Sequence, residues 1–193
     1  EKGWDGFEMG KPENKLGIRA SDTCELYFDS VKVPEENLIG NEGEGFKIAL
    51  TTLDGGRIGI AAQALGIAQA SLNASVSYSK ERIQFGKPIS TNQAIQFKIA
   101  DMAIEIEAAR LLVRQAAWKK DQKKSYSHAA SMAKVYASEV AMRASTQCVQ
   151  IHGGYGFMRE SGIERLMRDA KITQIYEGTS EIQRLVIAKS LIK

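Results

Sequence analysis

Between Pro34 and the C-terminal Lys193 the chain carries a single proline, Pro88, while apolar residues recur at helical spacing through most of that stretch. Proline inside a helix removes a backbone donor and clashes with the preceding turn, so a long run almost free of it is open to long helices. The clearest is predicted over residues 92–122, where Ile95, Ile99, Met102, Ile106, Ala109, Val113 and Ala116 recur at steps of four and three and mark one buried stripe. Lys98, Asp101, Glu105 and Arg114 fall on the opposite face. An earlier helix is expected over residues 45–82, an Ala-rich one over 127–151 and a short one over 163–168. A last helix follows Thr179, whose hydroxyl is placed to cap it ahead of Ile182, Leu185 and Val186. Long helices joined by short polar turns, such as the lysine-rich residues 120–124, predict a mainly α fold, an up-and-down four-helix bundle.

The first 40 residues read differently. Turn formers in Gly10-Lys11-Pro12-Glu13-Asn14 precede an alternating run, Cys24-Glu25-Leu26-Tyr27-Phe28, and then Val31-Lys32-Val33-Pro34. These predict two or three strands, too few to bury their own apolar face. Residues 1–40 are therefore expected to be the end of a β-domain begun upstream, and 41–193 the helical domain. The missing initiator Met fits a piece of a longer protein.

With 44% hydrophobic and 25% charged residues the composition is that of an ordinary globular chain. A net charge of +3 is too small to argue for nucleic acid. No stretch approaches the ~20 apolar residues that span a bilayer, so no membrane partner is expected. Cys24 and Cys148 stand far apart, with neither metal-ligand spacing nor a disulfide framework, which favours a reducing compartment.

Three segments carry residues suited to chemistry. Residues 150–157, Gln-Ile-His-Gly-Gly-Tyr-Gly-Phe, place three glycines at a helix end, where backbone can approach another molecule closely or simply stop the helix. No strand precedes them, so they are not a dinucleotide fingerprint. In Ile175-Tyr-Glu-Gly-Thr-Ser-Glu-Ile-Gln183 the carboxylate of Glu177 sits in a loop just ahead of a helix start. Such a carboxylate is either a partly desolvated general base or an ordinary surface group. Asp54-Gly55-Gly56-Arg57 puts paired glycines inside a helix, at ~1 kcal/mol each relative to alanine, which implies that something packs on the backbone there. Arg57 then either holds an anionic or carbonyl-rich ligand or pairs with Asp54 across one turn. His128 lies in a helix start on a polar stretch and His152 sits in the glycine segment without a cysteine, serine or second histidine at useful spacing, so neither a metal site nor a nucleophilic triad is expected.

Taken in order, Lys15-Leu-Gly-Ile-Arg19, Arg82-x-x-Phe85-Gly86, Gln150-x-x-Gly153-Gly154-x-Gly156-Phe157 with Glu160, Arg165 and Asp169, and residues 176–183 resemble the acyl-CoA dehydrogenase family, nearest its short-chain, butyryl-CoA branch. The resemblance covers essentially the whole chain and implies the family's C-terminal four-helix bundle behind a remnant of its middle β-domain. It implies FAD-dependent α,β-dehydrogenation of an acyl-CoA, with Glu177 taking the α-proton and the β-hydride passing to FAD. Asp54, Gly55, Gly56, Arg57 and Gly178 would contact substrate. Arg82, Gln93, Gln150, Ile151, His152, Gly153 and Gly154 would reach a neighbouring subunit's FAD, and Thr179, Ser180 and Glu181 the subunit's own. Some branches carry the base on the first long helix; the matching residue here is Gly56, which leaves Glu177 without a rival.

The resemblance also implies a homotetramer, an electron-transfer flavoprotein as acceptor, and a role in fatty acid β-oxidation. The setting would be cytoplasmic in a bacterium, the favoured source, or the mitochondrial matrix in a eukaryote. Because the flavin-cradling strands lie outside the chain, the 193 residues alone are expected to be inactive. The other readings are an acyl-CoA oxidase-type relative and a helical oligomerisation module without turnover.

Overall fold

The computed structural model describes residues 2–192. Strand β1, Phe7–Met9, pairs antiparallel with β2, Leu26–Phe28, setting Phe7 opposite Phe28 with ring centroids 5.2 Å apart. The ladder runs past the strands through Gly10 N–H to Glu25 O (2.9 Å) and Glu13 N–H to Thr23 O (2.8 Å). Two strands form in this segment, within the two or three expected, but not both where expected. Val31-Lys32-Val33-Pro34 forms no strand, whereas Phe7–Met9, which carries no clear alternation, does.

Residues 16–18 anchor this hairpin to the helices. Ile18 N–H donates to Asp169 Oδ1 (2.6 Å) and Arg168 Nη1 to Leu16 O (2.7 Å). Between them, a Cβ on Gly17 would stand 2.5 Å from the Arg168 carbonyl oxygen, so only glycine permits the contact.

The helical part opens with α1, Gly45–Glu81. A hairpin follows, β3 Ile83–Gln84 and β4 Lys87–Pro88, turning on Phe85 (φ 52°) and Gly86 (φ 78°). A two-residue loop with both φ positive matches the twist of its strands. Then come α2, Gln93–Asp121; α3, Ser127–His152; the single turn α4, Gly154–Phe157; α5, Ile163–Ile172; and α6, Ser180–Leu191. The predicted long helices therefore hold to within a residue at each end, while the short one runs four residues past Arg168.

Helix α3 is the hub, packing on α1, α2, α5 and α6, and α5 closes back on α1. The stripe read for α2 is the buried one: Met102, Ile106, Ala109, Val113 and Ala116 are buried and Ile95 and Ile99 pack at its edge. The opposite face is less uniform than its charges imply. Lys98 donates to Gln147 and Glu105 pairs with Arg143 (3.1 Å), both on α3, leaving Asp101 and Arg114 exposed.

Helices α1 and α3 pack on each other, and both bury mostly small residues, among them Ala61, Ala64, Ala68, Ser71 and Ser75 on α1 and Ala130, Ala133, Ala137, Ala141 and Ala144 on α3. Small faces let helix backbones approach closely at interior packing density. The buried serines stay satisfied by bonding back along their own helix, Ser71 to Ile67 O (2.9 Å) and Ser75 to Ser71 O (2.8 Å).

Candidate active site

The site is built where the α5–α6 loop lies across α1 and α3. Ile175 and Tyr176 N–H both donate to Ile172 O, and Ser180 N–H reaches back to Gln174 O (2.9 Å), closing the loop into a tight lobe. Thr179 caps α6, its hydroxyl accepting from Ile182 N–H (3.3 Å), as read from the sequence. At the apex Glu177 has φ 55° and Gly178 φ 88°. A glutamate in the left-handed region is uncommon and persists only where surroundings hold it. Three side chains do so. Gln183 Nε2 donates to both Glu177 O (3.2 Å) and Gly178 O (2.9 Å), Lys134 Nζ donates to Gly178 O (2.7 Å), and the Tyr176 hydroxyl reaches Gln63 on α1.

This conformation lays the half-buried Glu177 carboxylate on α1 at Gly56, where a Cβ would stand 2.4 Å from Glu177 Oε2. The paired glycines thus have separate reasons: Gly56 faces Glu177, and Gly55 faces Lys120 Nζ at the end of α2, 3.0 Å from its own missing Cβ. Arg57 makes the i,i+3 bridge to Asp54 (2.6 Å), and Asp54 Oδ1 also accepts from Ser127 Oγ (2.9 Å). Arg57 is buried and its Nε, buried too, has no hydrogen-bond partner among the described residues, while its Nη2 lies 3.9 Å from where a Gly178 Cβ would be. Asp54, Gly56, Arg57, Glu177 and Gly178 are therefore brought together from segments more than a hundred residues apart.

Titration follows the surroundings. Burial draws the Lys134 ammonium down to about 8, with the neighbouring Arg57 charge adding to the effect and Glu181, Glu177 and Glu139 opposing it. Burial pushes the Tyr176 hydroxyl up, Gln63 offsetting part of the rise. The exposed Glu181 carboxyl lies below its usual range because its own backbone N–H and the Thr179 hydroxyl bond to it.

The remaining candidates separate into two places. Arg82, Ile151, His152, Gly153 and Gly154 line one open groove of about 560 Å³ with Tyr78 and Tyr155. There the His152 ring stacks on Tyr78 (4.2 Å between centroids), and the Arg82 guanidinium lies over Tyr155 (5.4 Å). His152 is nearly buried, its Nδ1 2.8 Å from Cys148 O. Gly154 has no atom within 4 Å of its missing Cβ and faces open space. Thr179, Ser180 and Glu181 line a smaller cleft of about 270 Å³ with Glu139 and Gln174. Gln93 and Gln150 are exposed and line neither.

Sequence reasoning missed Lys134, Gln183 and Gln63. A signal existed for the first: a lysine at the 130, 134, 137, 141 spacing of an Ala-rich helix lies on its buried stripe.

This helical fold is that of the acyl-CoA dehydrogenases, and the chain belongs to that oxidoreductase family: the profile described as "Acyl-CoA dehydrogenase, C-terminal domain" matches residues 43–192. The short-chain specific acyl-CoA dehydrogenase of Megasphaera elsdenii is 58% identical over 193 residues, all of this chain and 50% of that protein. The structure of butyryl-CoA dehydrogenase from Megasphaera elsdenii superposes with a TM-score of 0.99 at 58% identity, over 100% of this chain and 50% of that one. A chain in the structure described as "Electron transferring flavoprotein of Acidaminococcus fermentans: Towards a mechanism of flavin-based electron bifurcation" gives a TM-score of 0.99 at 59% identity, over 100% and 51%. The chain spans about half the length of the curated relatives it matches. No helix among the described residues is long and apolar enough to cross a membrane.

Proposed function

We propose that this chain is the base-bearing half of an FAD-dependent short-chain acyl-CoA dehydrogenase, converting a butyryl-CoA-like thioester to its trans-2-enoyl product. The observation that carries the reading is the Glu177 carboxylate, presented over Gly56 by a loop whose backbone is pinned on two sides. Among the described residues the Glu177 carboxylate stands in no salt bridge, and a positioned carboxylate of this kind is suited to take a proton from carbon. Glu177 removes the α-proton, and its backbone N–H helps polarise the thioester carbonyl on which charge develops. Asp54, Gly55, Gly56, Arg57 and Gly178 border the acyl-CoA.

The residues present fit a flavin dinucleotide. Arg82 supplies a cation and Gly154 open backbone in one groove, while the α6 N-terminus supplies the Thr179 hydroxyl in the other cleft. Arg82, Gln93, Gln150, Ile151, His152, Gly153 and Gly154 would hold the FAD of a neighbouring subunit, and Thr179, Ser180 and Glu181 that of their own. Bound there, FAD supplies the acceptor for the hydride leaving the β-carbon.

This division makes one subunit insufficient, so the working state is a homotetramer, with an electron-transfer flavoprotein taking the electrons onward in fatty acid β-oxidation. Residues 1–40 are the end of the middle β-domain and 41–193 the helical domain. The setting is cytoplasmic in a bacterium and the mitochondrial matrix in a eukaryote.

The test is Glu177→Gln in the full-length, flavin-loaded enzyme, which conserves shape and removes the proton acceptor. FAD and acyl-CoA binding should persist while turnover falls by about 10³-fold. Retention of more than about a tenth of the wild-type rate would reject Glu177 as the base.

A further inference from the structure

Lys134 is the largest wholly buried side chain among the described residues, and it is a lysine in the middle of an alanine-rich helix. An ammonium stripped of water is costly unless paired, and replacing buried charge by an apolar chain of similar volume is often neutral or stabilising. Among the described residues Lys134 has no carboxylate within ion-pair distance; its bond goes to one backbone oxygen, that of Gly178 (2.7 Å). The carbonyls it and Gln183 hold are consecutive, those of Glu177 and Gly178, the two residues of the loop with positive φ. Two donors from two helices, α3 and α6, thus converge on the Gly178 carbonyl, and the α6 donor also holds the Glu177 carbonyl before it, fixing the two consecutive peptide units at the apex that carries the Glu177 carboxylate over Gly56.

We propose that Lys134 is a positioning residue for the reaction: its buried ammonium, with the Gln183 amide, locks the Glu177–Gly178 backbone in the left-handed conformation that presents the Glu177 carboxylate over Gly56. The role rests on the reading of Glu177 as base, but the lock itself is a property of the loop. The charged groups around the ammonium are Arg57 on α1, Glu139 on α3 itself, Glu177 in the loop and Glu181 on α6. With its proton lost near pH 8, the amine still reaches Gly178 O but no longer bears the charge that strengthens the bond. The lock therefore weakens as pH rises through about 8.

The experiment compares Lys134→Met and Lys134→Gln with wild type and Glu177→Gln, all as full-length flavin-loaded enzyme. Hydrogen exchange at the amides of residues 175–182 reads the lock directly, whatever the identity of the base. Lys134→Met should speed that exchange about tenfold or more while the rest of α3 stays protected, and Lys134→Gln, which restores a donor, should recover part of the protection. In turnover of butyryl-CoA, Lys134→Met should lose up to about 10²-fold in kcat with KM little changed, since misplacing a reacting group by about 1 Å has that effect. Wild-type kcat should fall as pH rises through about 8, and that fall should be absent in Lys134→Met. Unchanged exchange in Lys134→Met, or a loss of protection spread evenly over α3, would overturn the proposal. Faster exchange with unchanged kcat would also overturn the positioning role, whereas a fully active Glu177→Gln alongside faster exchange in Lys134→Met would sink only the assignment of the base.

Discussion

Glycine at position 56 and lysine at position 134 each give up folding stability for the placement of Glu177. A glycine inside α1 is less favourable than alanine by about 1 kcal/mol, yet a Cβ there would stand 2.4 Å from Glu177 Oε2. Because the clashing atom ends a flexible side chain, Gly56→Ala should leave thermal stability unchanged or raise it by ~2–4 °C, while the displaced carboxylate loses turnover by about tenfold or more. A differential scan beside steady-state rates checks both, and a variant of full activity would show that the carboxylate does not work from this seat. Lys134 has the same character in its pH dependence. Its folded value of about 8 lies below the ordinary lysine 10.5, so the unfolded chain holds the proton more tightly and burial of the ammonium opposes folding below about pH 8. As pH rises from about 8 to 10.5 that opposition is relieved. Wild type should therefore gain stability relative to Lys134→Met over that window, a difference measurable by denaturant midpoints at pH 7 and pH 10.

At the scale of elements, the junction of α3 and α4 separates glycines that shape the chain from one that faces outward. Gly153 takes φ 59°, ψ −136°, a region essentially closed to other residues, and a Cβ on Gly156 would meet Val149 O at 2.6 Å and His152 Cβ at 2.7 Å. Gly156→Ala must move backbone and should destabilise by about 1–3 kcal/mol, whereas Gly154→Ala should leave the midpoint untouched. If the groove holds a dinucleotide, Gly154→Ala in the full-length enzyme should weaken flavin retention without loss of fold, read by gel filtration and absorbance. The sequence could not separate these roles, since three glycines in four residues look alike until the chain folds back on itself. Helix positions were legible because their periodicity and the scarcity of proline are local signals. The β3–β4 hairpin was hidden because its left-handed turn residue is Phe85, not the asparagine or aspartate that usually marks such a turn. Glu177 was legible only as one loop carboxylate among others; its seat on Gly56, and Lys134 beneath the loop, join residues that only tertiary packing brings together.

For the molecule as a whole, the bundle carries its own core, so residues 1–193 purified alone should give strongly helical circular dichroism yet retain flavin weakly or not at all; stoichiometric flavin surviving gel filtration would contradict the proposed division of the site. The same bundle leaves a regular apolar stripe uncovered along α2: Phe97, Ile104, Leu111 and Trp118, seven residues apart and each more than half exposed. Reversed end for end, α2 matches itself about its midpoint. In an antiparallel pair Phe97 meets Trp118, Ile104 meets Leu111, and the exposed Asp101 meets the exposed Arg114 of the other copy. A two-fold contact requires such self-complementarity of both shape and charge. Self-association of the full-length enzyme should therefore use this face. Ile104→Asp should shift sedimentation toward a smaller species, because it buries a charge in the stripe. Arg114→Asp should weaken association, by no more than about 1 kcal/mol per exposed pair, and Asp101→Arg added to it should restore the wild-type midpoint in a dilution series. An unaltered mass in Ile104→Asp would show that another part of the polypeptide, and not a second copy, covers α2.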